Sequence, residues 1–143
     1  MNRLGRKKEA RELLTRCIER DPEFEKVWFN RGVINAALEN IEEALSDYNK
    51  AIELEPKYAN AWYSRGNLRR RMRDFEGSLE DQTRAIELKP DFPEALANRA
   101  DVKVTLGKVT DAIRDYKKAL EVAPPGWSYR RKVKKIVRDL QEQ

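Results

Sequence analysis

Apolar residues fall in short clusters at helical spacing, separated by polar breaks. Between residues 25 and 38 the set Val27, Trp28, Gly32, Ile34 and Leu38 shares one side of a helix. Between 41 and 54 the set Ile41, Ala44, Leu45, Tyr48, Ala51, Ile52 and Leu54 does the same, so two amphipathic helices joined by a short turn are predicted. Leu13, Leu14, Cys17 and Ile18 form an earlier stripe, and Tyr129, Val133, Ile136, Val137 and Leu140 form one face of a last helix. The second helices end at Asp21-Pro22, Glu55-Pro56, Lys89-Pro90 and Ala123-Pro124, because the residue before a proline is pushed out of the helical region. Pro93 can instead open a helix, where a missing N–H costs nothing, with Asp91 as its expected cap.

Those four prolines stand 34 residues apart, and the residues between them recur. Trp28-Phe29-Asn30-Arg31-Gly32 is answered by Trp62-Tyr63-Ser64-Arg65-Gly66 and by Leu96-Ala97-Asn98-Arg99-Ala100. Small residues recur at Ala44, Ser78 and Ala112, and again at Ala51, Ala85 and Ala119. This pattern resembles the tetratricopeptide repeat, a helix-turn-helix unit of about 34 residues with a signature of Trp, Gly, Tyr, Ala, Phe, Ala and Pro. With each proline at position 32, the units are 25–58, 59–92 and 93–126, preceded by a half repeat in 1–24 and followed by a capping helix in 127–143. The resemblance implies an all-α, right-handed solenoid. The chain departs from the signature at position 11, usually Tyr, which holds Asn35, Arg69 and Lys103, and at position 24 of the second full unit, Gln82. Gly32 and Gly66, each costing about 1 kcal/mol inside a helix, are expected where the paired helix approaches closely.

The half repeat follows from a parallel between Leu4-Gly5-Arg6 and the turn Leu106-Gly107-Lys108. A turn is therefore expected at Leu4-Gly5, with Met1 to Leu4 as the end of a first helix. The stripe Leu13, Leu14 and Ile18 would then lack half its cover, so that either the array continues beyond this chain, or another molecule or a second copy covers the stripe. Trp127 is expected to pack into the joint of the capping helix.

Of the 143 residues 38% are charged, as expected for two-layer stacking that leaves much surface wet, and no apolar run approaches the roughly 18 residues that span a bilayer. No signal-peptide stretch opens the chain. A soluble, cytoplasmic protein without membrane insertion is expected. The single Cys17 occupies the small-residue position of Ala51, Ala85 and Ala119 and is read as a packed structural thiol. With no His, no second Cys, no nucleophile arrangement and no glycine-rich phosphate loop, neither catalysis, a metal nor a cofactor is expected.

Function then rests on surface. The resemblance implies that the first helices line a concave groove through positions 2, 5, 6, 9 and 12. Here these include Lys26, Phe29, Asn30 and Val33; Asn60, Tyr63, Asn67 and Arg70; and Glu94, Ala97, Asn98 and Asp101. Amides that donate and accept can hold a peptide backbone in either direction, and aromatic rings anchor side chains. A peptide segment of a partner protein is the expected ligand. The family's clamp for a terminal carboxylate is matched only in part, by Asn67, Asn98 and Lys132 without the first cation. The alternative is anion or nucleic-acid binding through Arg69 to Arg73 and through Arg130, Arg131, Lys134, Lys135 and Arg138 of the last helix, which carries most of the net charge of +5. Nucleic acid is the weaker reading, because no exposed aromatics interleave with these cations.

Overall fold

A computed structural model describes residues 3–143, and the described residues form eight helices and no strand. In chain order they are α1 (Arg3–Arg20), α2 (Glu25–Ala37), α3 (Ile41–Leu54), α4 (Ala59–Arg71), α5 (Phe75–Leu88), α6 (Pro93–Thr105), α7 (Val109–Val122) and α8 (Arg130–Gln141). Three hairpins, α2–α3, α4–α5 and α6–α7, stack so that each helix packs on its chain neighbours. α2 also touches α4, and α4 touches α6, which aligns the first helices along one side of an α-solenoid.

Each hairpin turns through one left-handed residue, Glu39 (φ 61°), Arg73 (φ 65°) or Gly107 (φ 76°). The N–H of the residue after it reaches the carbonyl five back, as Asn40 to Asn35, Asp74 to Arg69 and Lys108 to Lys103. These bonds satisfy carbonyls that a helix end leaves open. Asp74 then caps α5 by accepting from the Gly77 N–H at 2.9 Å. Pro93 does open α6, but the residue at the cap position is Phe92, not Asp91, and no side chain caps it.

Inside the hairpins small residues let the backbones close. Ala44, Ala51, Ala85, Ala112 and Ala119 are fully buried, as is Ser78. A Cβ on Gly32 would stand 2.8 Å from the Tyr48 ring and one on Gly66 2.8 Å from Gln82 Nε2, so both glycines are set by the paired helix.

An ion pair repeats with the fold. Arg31, Arg65 and Arg99 each make a two-pronged contact with Asp47, Asp81 and Asp115, sixteen residues on, at 2.7 to 3.0 Å. The same guanidinium reaches back to the preceding hairpin or helix, at Thr15, Asn49 and Thr83. One side chain thereby ties three helices. Two of these arginines also lie over an indole, Arg31 on Trp28 and Arg65 on Trp62, whose N–H groups donate to the carbonyls of Pro22 and Pro56 at 2.8 Å. The departures at position 11 belong to the same unit. Asn35 donates to Asp47 at 2.9 Å, Arg69 lies 3.3 Å from Asp81 and Lys103 2.7 Å from Asp115. Each gives its buried carboxylate a second donor, which a buried charge requires.

Two expectations at the amino-terminal end are corrected. No turn forms at Leu4-Gly5: α1 runs unbroken from Arg3, and Met1 and Asn2 lie outside the described residues. Gly5 lies within the helix, and the packing that α1 makes among the described residues is with α2. Cys17 is exposed rather than packed, although Ala51, Ala85 and Ala119 at the matching position are fully buried. Ile18 is buried against α2, while Leu13 stays 55% exposed. At the other end Trp127 packs with Val133 and Val137 in one cluster with Leu96, Tyr116 and Ala119, so α8 covers the last hairpin. Tyr129 does not join the covered face; it precedes α8 and is 54% exposed.

Candidate functional site

The side lined by the first helices is built from α2, α4 and α6, and α8 closes one end of it. Where α4, α6, α7 and α8 meet lies a pocket of about 250 Å³, lined by Tyr63 and Arg70, by Glu94, Ala97, Asn98 and Asp101, and by Trp127, Tyr129 and Lys132. A shallower hollow between α2 and α4 is lined by Val33, Ala36, Ser64, Asn67 and Arg71.

The expected groove residues divide by what holds them. Lys26, Asn30 and Asn60 are exposed, and Val33 is 42% exposed. Phe29 is half-buried with its ring against Tyr58 (5.0 Å) and Tyr48 (5.9 Å), so it supports the wall more than it faces the groove. Tyr63 packs on Phe92 at 4.8 Å and keeps one side on the pocket. Arg70 and Asp101 pair across α4 and α6 at 3.1 Å, and the Tyr116 hydroxyl donates to the other oxygen of Asp101. Burial and that carboxylate push the Tyr116 hydroxyl far above its ordinary range. Glu94 accepts from the Trp127 indole at 3.1 Å, which pins the start of the capping segment to α6.

The amides form a chain. Gln82 Nε2 donates to the Tyr63 carbonyl at 3.3 Å and to Asn67 Oδ1 at 3.0 Å, and Asn98 Nδ2 donates to the same Oδ1 at 2.7 Å. Expectation had placed Asn67 and Asn98 in the groove without this link, and Gln82 only as a departure from Tyr. Trp127, Tyr129, Val133 and Ile136 were read as cap residues; α8 folds back far enough to make them pocket wall.

The basic set of the last helix is smaller than its sequence suggests. Arg130 donates to the carbonyls of Leu120, Ala123 and Pro124, at 3.2, 2.7 and 3.2 Å, and so caps the end of α7 instead of facing solvent as an anion ligand. Lys135 pairs with Asp139 at 2.7 Å. Arg131, Lys134 and Arg138 remain exposed on the outer face. In the other basic cluster Arg69, Arg70 and Arg71 are paired with Asp81, Asp101 and Glu39. Among the described residues no cluster of His, Cys, Asp and Glu could hold a metal, and no helix is long and apolar enough to cross a membrane.

Tetratricopeptide repeat models match residues 2–24 and 93–125, 25–58, and 47–80. The chain belongs to the tetratricopeptide repeat family. Its repeats make it a protein–protein interaction module. Among solved structures, one of MamA protein is 25% identical with a TM-score of 0.75, covering 81% of this chain, which spans 63% of that one. A second MamA crystal structure is 18% identical, covers 99% of this chain and 94% of its own, and has a TM-score of 0.78. The first TPR of Spaghetti (RPAP3) bound to HSP90 peptide SRMEEVD is 20% identical, covers 82% and 90%, and has a TM-score of 0.75. No match is found among curated proteins.

Proposed function

We propose that this tetratricopeptide chain takes a segment of a partner protein along the trough of α2, α4 and α6, without catalysis of its own. The observation that carries the reading is the pocket of about 250 Å³ at the α8 end, walled by Tyr63, Ala97 and Tyr129 beside the amide of Asn98. Its size suits one large side chain, while the amides suit the backbone on either side of it. That a fold of this shape can hold a peptide is supported by the Spaghetti (RPAP3) structure, whose bound segment is the HSP90 peptide SRMEEVD. The alternative, an anion site on the outer face of α8, is left with Arg131, Lys134 and Arg138 after Arg130 and Lys135 are engaged.

The test is a heptapeptide selected from a random library on the immobilised chain and titrated by calorimetry. Changing Tyr63 and Asn98 together to Ala is expected to weaken binding by about tenfold or more, the loss typical of one anchoring side chain. Affinity should change little with salt, since the counterion release that accompanies phosphate contacts is not involved. Binding untouched by the double change would overturn the groove.

A further inference from the structure

The amides of Asn67 and Asn98 are not free to turn either way. Gln82 is fully buried, and its side chain lies 3.3 Å from the backbone carbonyl of Tyr63, a group that only accepts. The Gln82 amide must therefore point its N–H₂ there, whichever way round the two ends would otherwise be assigned. That same nitrogen, 3.0 Å from the Asn67 amide, requires Asn67 to turn its oxygen inward. Asn98, 2.7 Å from that oxygen, must then donate to it. What remains for the groove on α4 is Asn67 Nδ2, which can only donate because Asn67 Oδ1 already accepts twice, and on α6 Asn98 Oδ1 with the second N–H of Asn98. A reversed segment would find no acceptor at Asn67. Neither Asn67 Nδ2 nor Asn98 Oδ1 has a partner among the described residues. Asn67 faces the hollow toward α2, and Asn98 faces the pocket toward α8. The other hairpins have no such relay, because Tyr48 and Tyr116 stand where Gln82 does.

We propose that Gln82 is a positioning residue that fixes the direction in which the groove takes an extended segment. In an extended residue the N–H and C=O point to the same side, the N–H nearer the amino end. Asn98 takes that N–H and Asn67 that C=O, so the segment enters with its amino end toward α8 and leaves with its carboxyl end toward α2. Groove binding in general would allow both directions; the relay selects one. The inference rests on the groove reading above.

Gln82→Tyr is the informative variant. Gly66 already gives the clearance that Gly32 gives Tyr48, so the hairpin has room to fold with the ring in place. In the free protein, ¹⁵N NMR should find the Gln82 side-chain amide protons and one of the Asn98 pair slow to exchange and those of Asn67 fast; the reverse pattern would overturn the inference. The library-selected heptapeptide is then labelled with a nitroxide at either end. An amino-terminal label should broaden signals of Lys132 to Ile136, and a carboxyl-terminal label those of α2. In Gln82→Tyr each label should broaden both ends, with affinity lowered about fivefold, the effect of one lost hydrogen bond. The opposite direction in the parent chain, or one direction kept in the variant, would overturn the role of Gln82 and leave the groove standing. A selected peptide that broadens neither end would remove the groove reading and this inference together.

Discussion

In the hairpin α2–α3 the residue opposite Gly32 is Tyr48; in α4–α5 the residue opposite Gly66 is Gln82. Everything around these two positions is nearly the same. Both hairpins carry the Arg–Asp contact, the indole under the guanidinium and the bond from that indole to a proline carbonyl. Tyr48 is 3% exposed and completes an apolar cluster with Ala44 and Leu68. Gln82, no less buried, gives up that packing and leaves its own Oε1 unpartnered, a cost of about 1–3 kcal/mol for a buried polar atom. What it gains is a bond that orients the amide of Asn67 and, through it, that of Asn98. The parts that recur hold the stack together, and the part that departs orients these two amides.

The strongest challenge to this division is removal of a recurring part. Asp81→Ala strands Arg65 and Arg69 beside a buried, vacated site, and urea denaturation should register a loss of about 3–5 kcal/mol. Asp47→Ala should cost a similar amount, because the contact is shared, and a loss confined to one hairpin would break the parallel.

Next in size is a pH effect present in one hairpin and not in the other. Burial raises the Tyr48 hydroxyl to about 12 from its ordinary 10.0. The folded state favours the protonated ring, so this contribution is complete below pH 10 and is lost as pH rises toward 12, amounting to about 2 kcal/mol. Tyr48→Phe should flatten the fall in the urea midpoint across that window, to which Gln82 contributes nothing. An unchanged slope would mean that Tyr48 is not the group being titrated.

The smallest contrast concerns the glycines. Gly32→Ala drives a methyl into a rigid ring, at 2.8 and 2.9 Å from two ring carbons, and should cost about 1–2 kcal/mol net of the better helix propensity. Gly66→Ala meets the movable end of Gln82 at 2.8 Å and should cost less while disturbing the amide relay. Thermal melts of the pair decide it, and equal losses would remove the distinction.

The stacking was legible because a fixed period exposes every helix end at once. Pro22, Pro56, Pro90 and Pro124, together with the small residues between them, were enough to place the helices. The charged ladder carried the same signal, since Arg31, Arg65 and Arg99 and Asp47, Asp81 and Asp115 also recur every 34 residues. The arginines stood in the recurring motif beside the tryptophans, but their aspartates lie across a turn, sixteen residues on, where nothing local joins the two. Cys17 was misjudged by analogy, because a small residue is buried only when a neighbour covers it. The α8 end of the site was hidden for another reason. Beyond Pro124 the period stops, and no local pattern says that Trp127 and Tyr129 will swing over α6. Groove positions were legible as places, while the Asn67–Asn98 and Arg70–Asp101 links join residues 31 apart on adjacent helices and emerge only when the hairpins stack.

The most direct test of the trough as the binding surface is an amide-shift map of the chain titrated with a library-selected heptapeptide. Perturbed signals should run along α2, α4 and α6 and the inner side of α8, persist in high salt and spare the outer faces of α3, α5 and α7. Shifts confined to Arg131, Lys134 and Arg138 that vanish as salt is added would contradict the account.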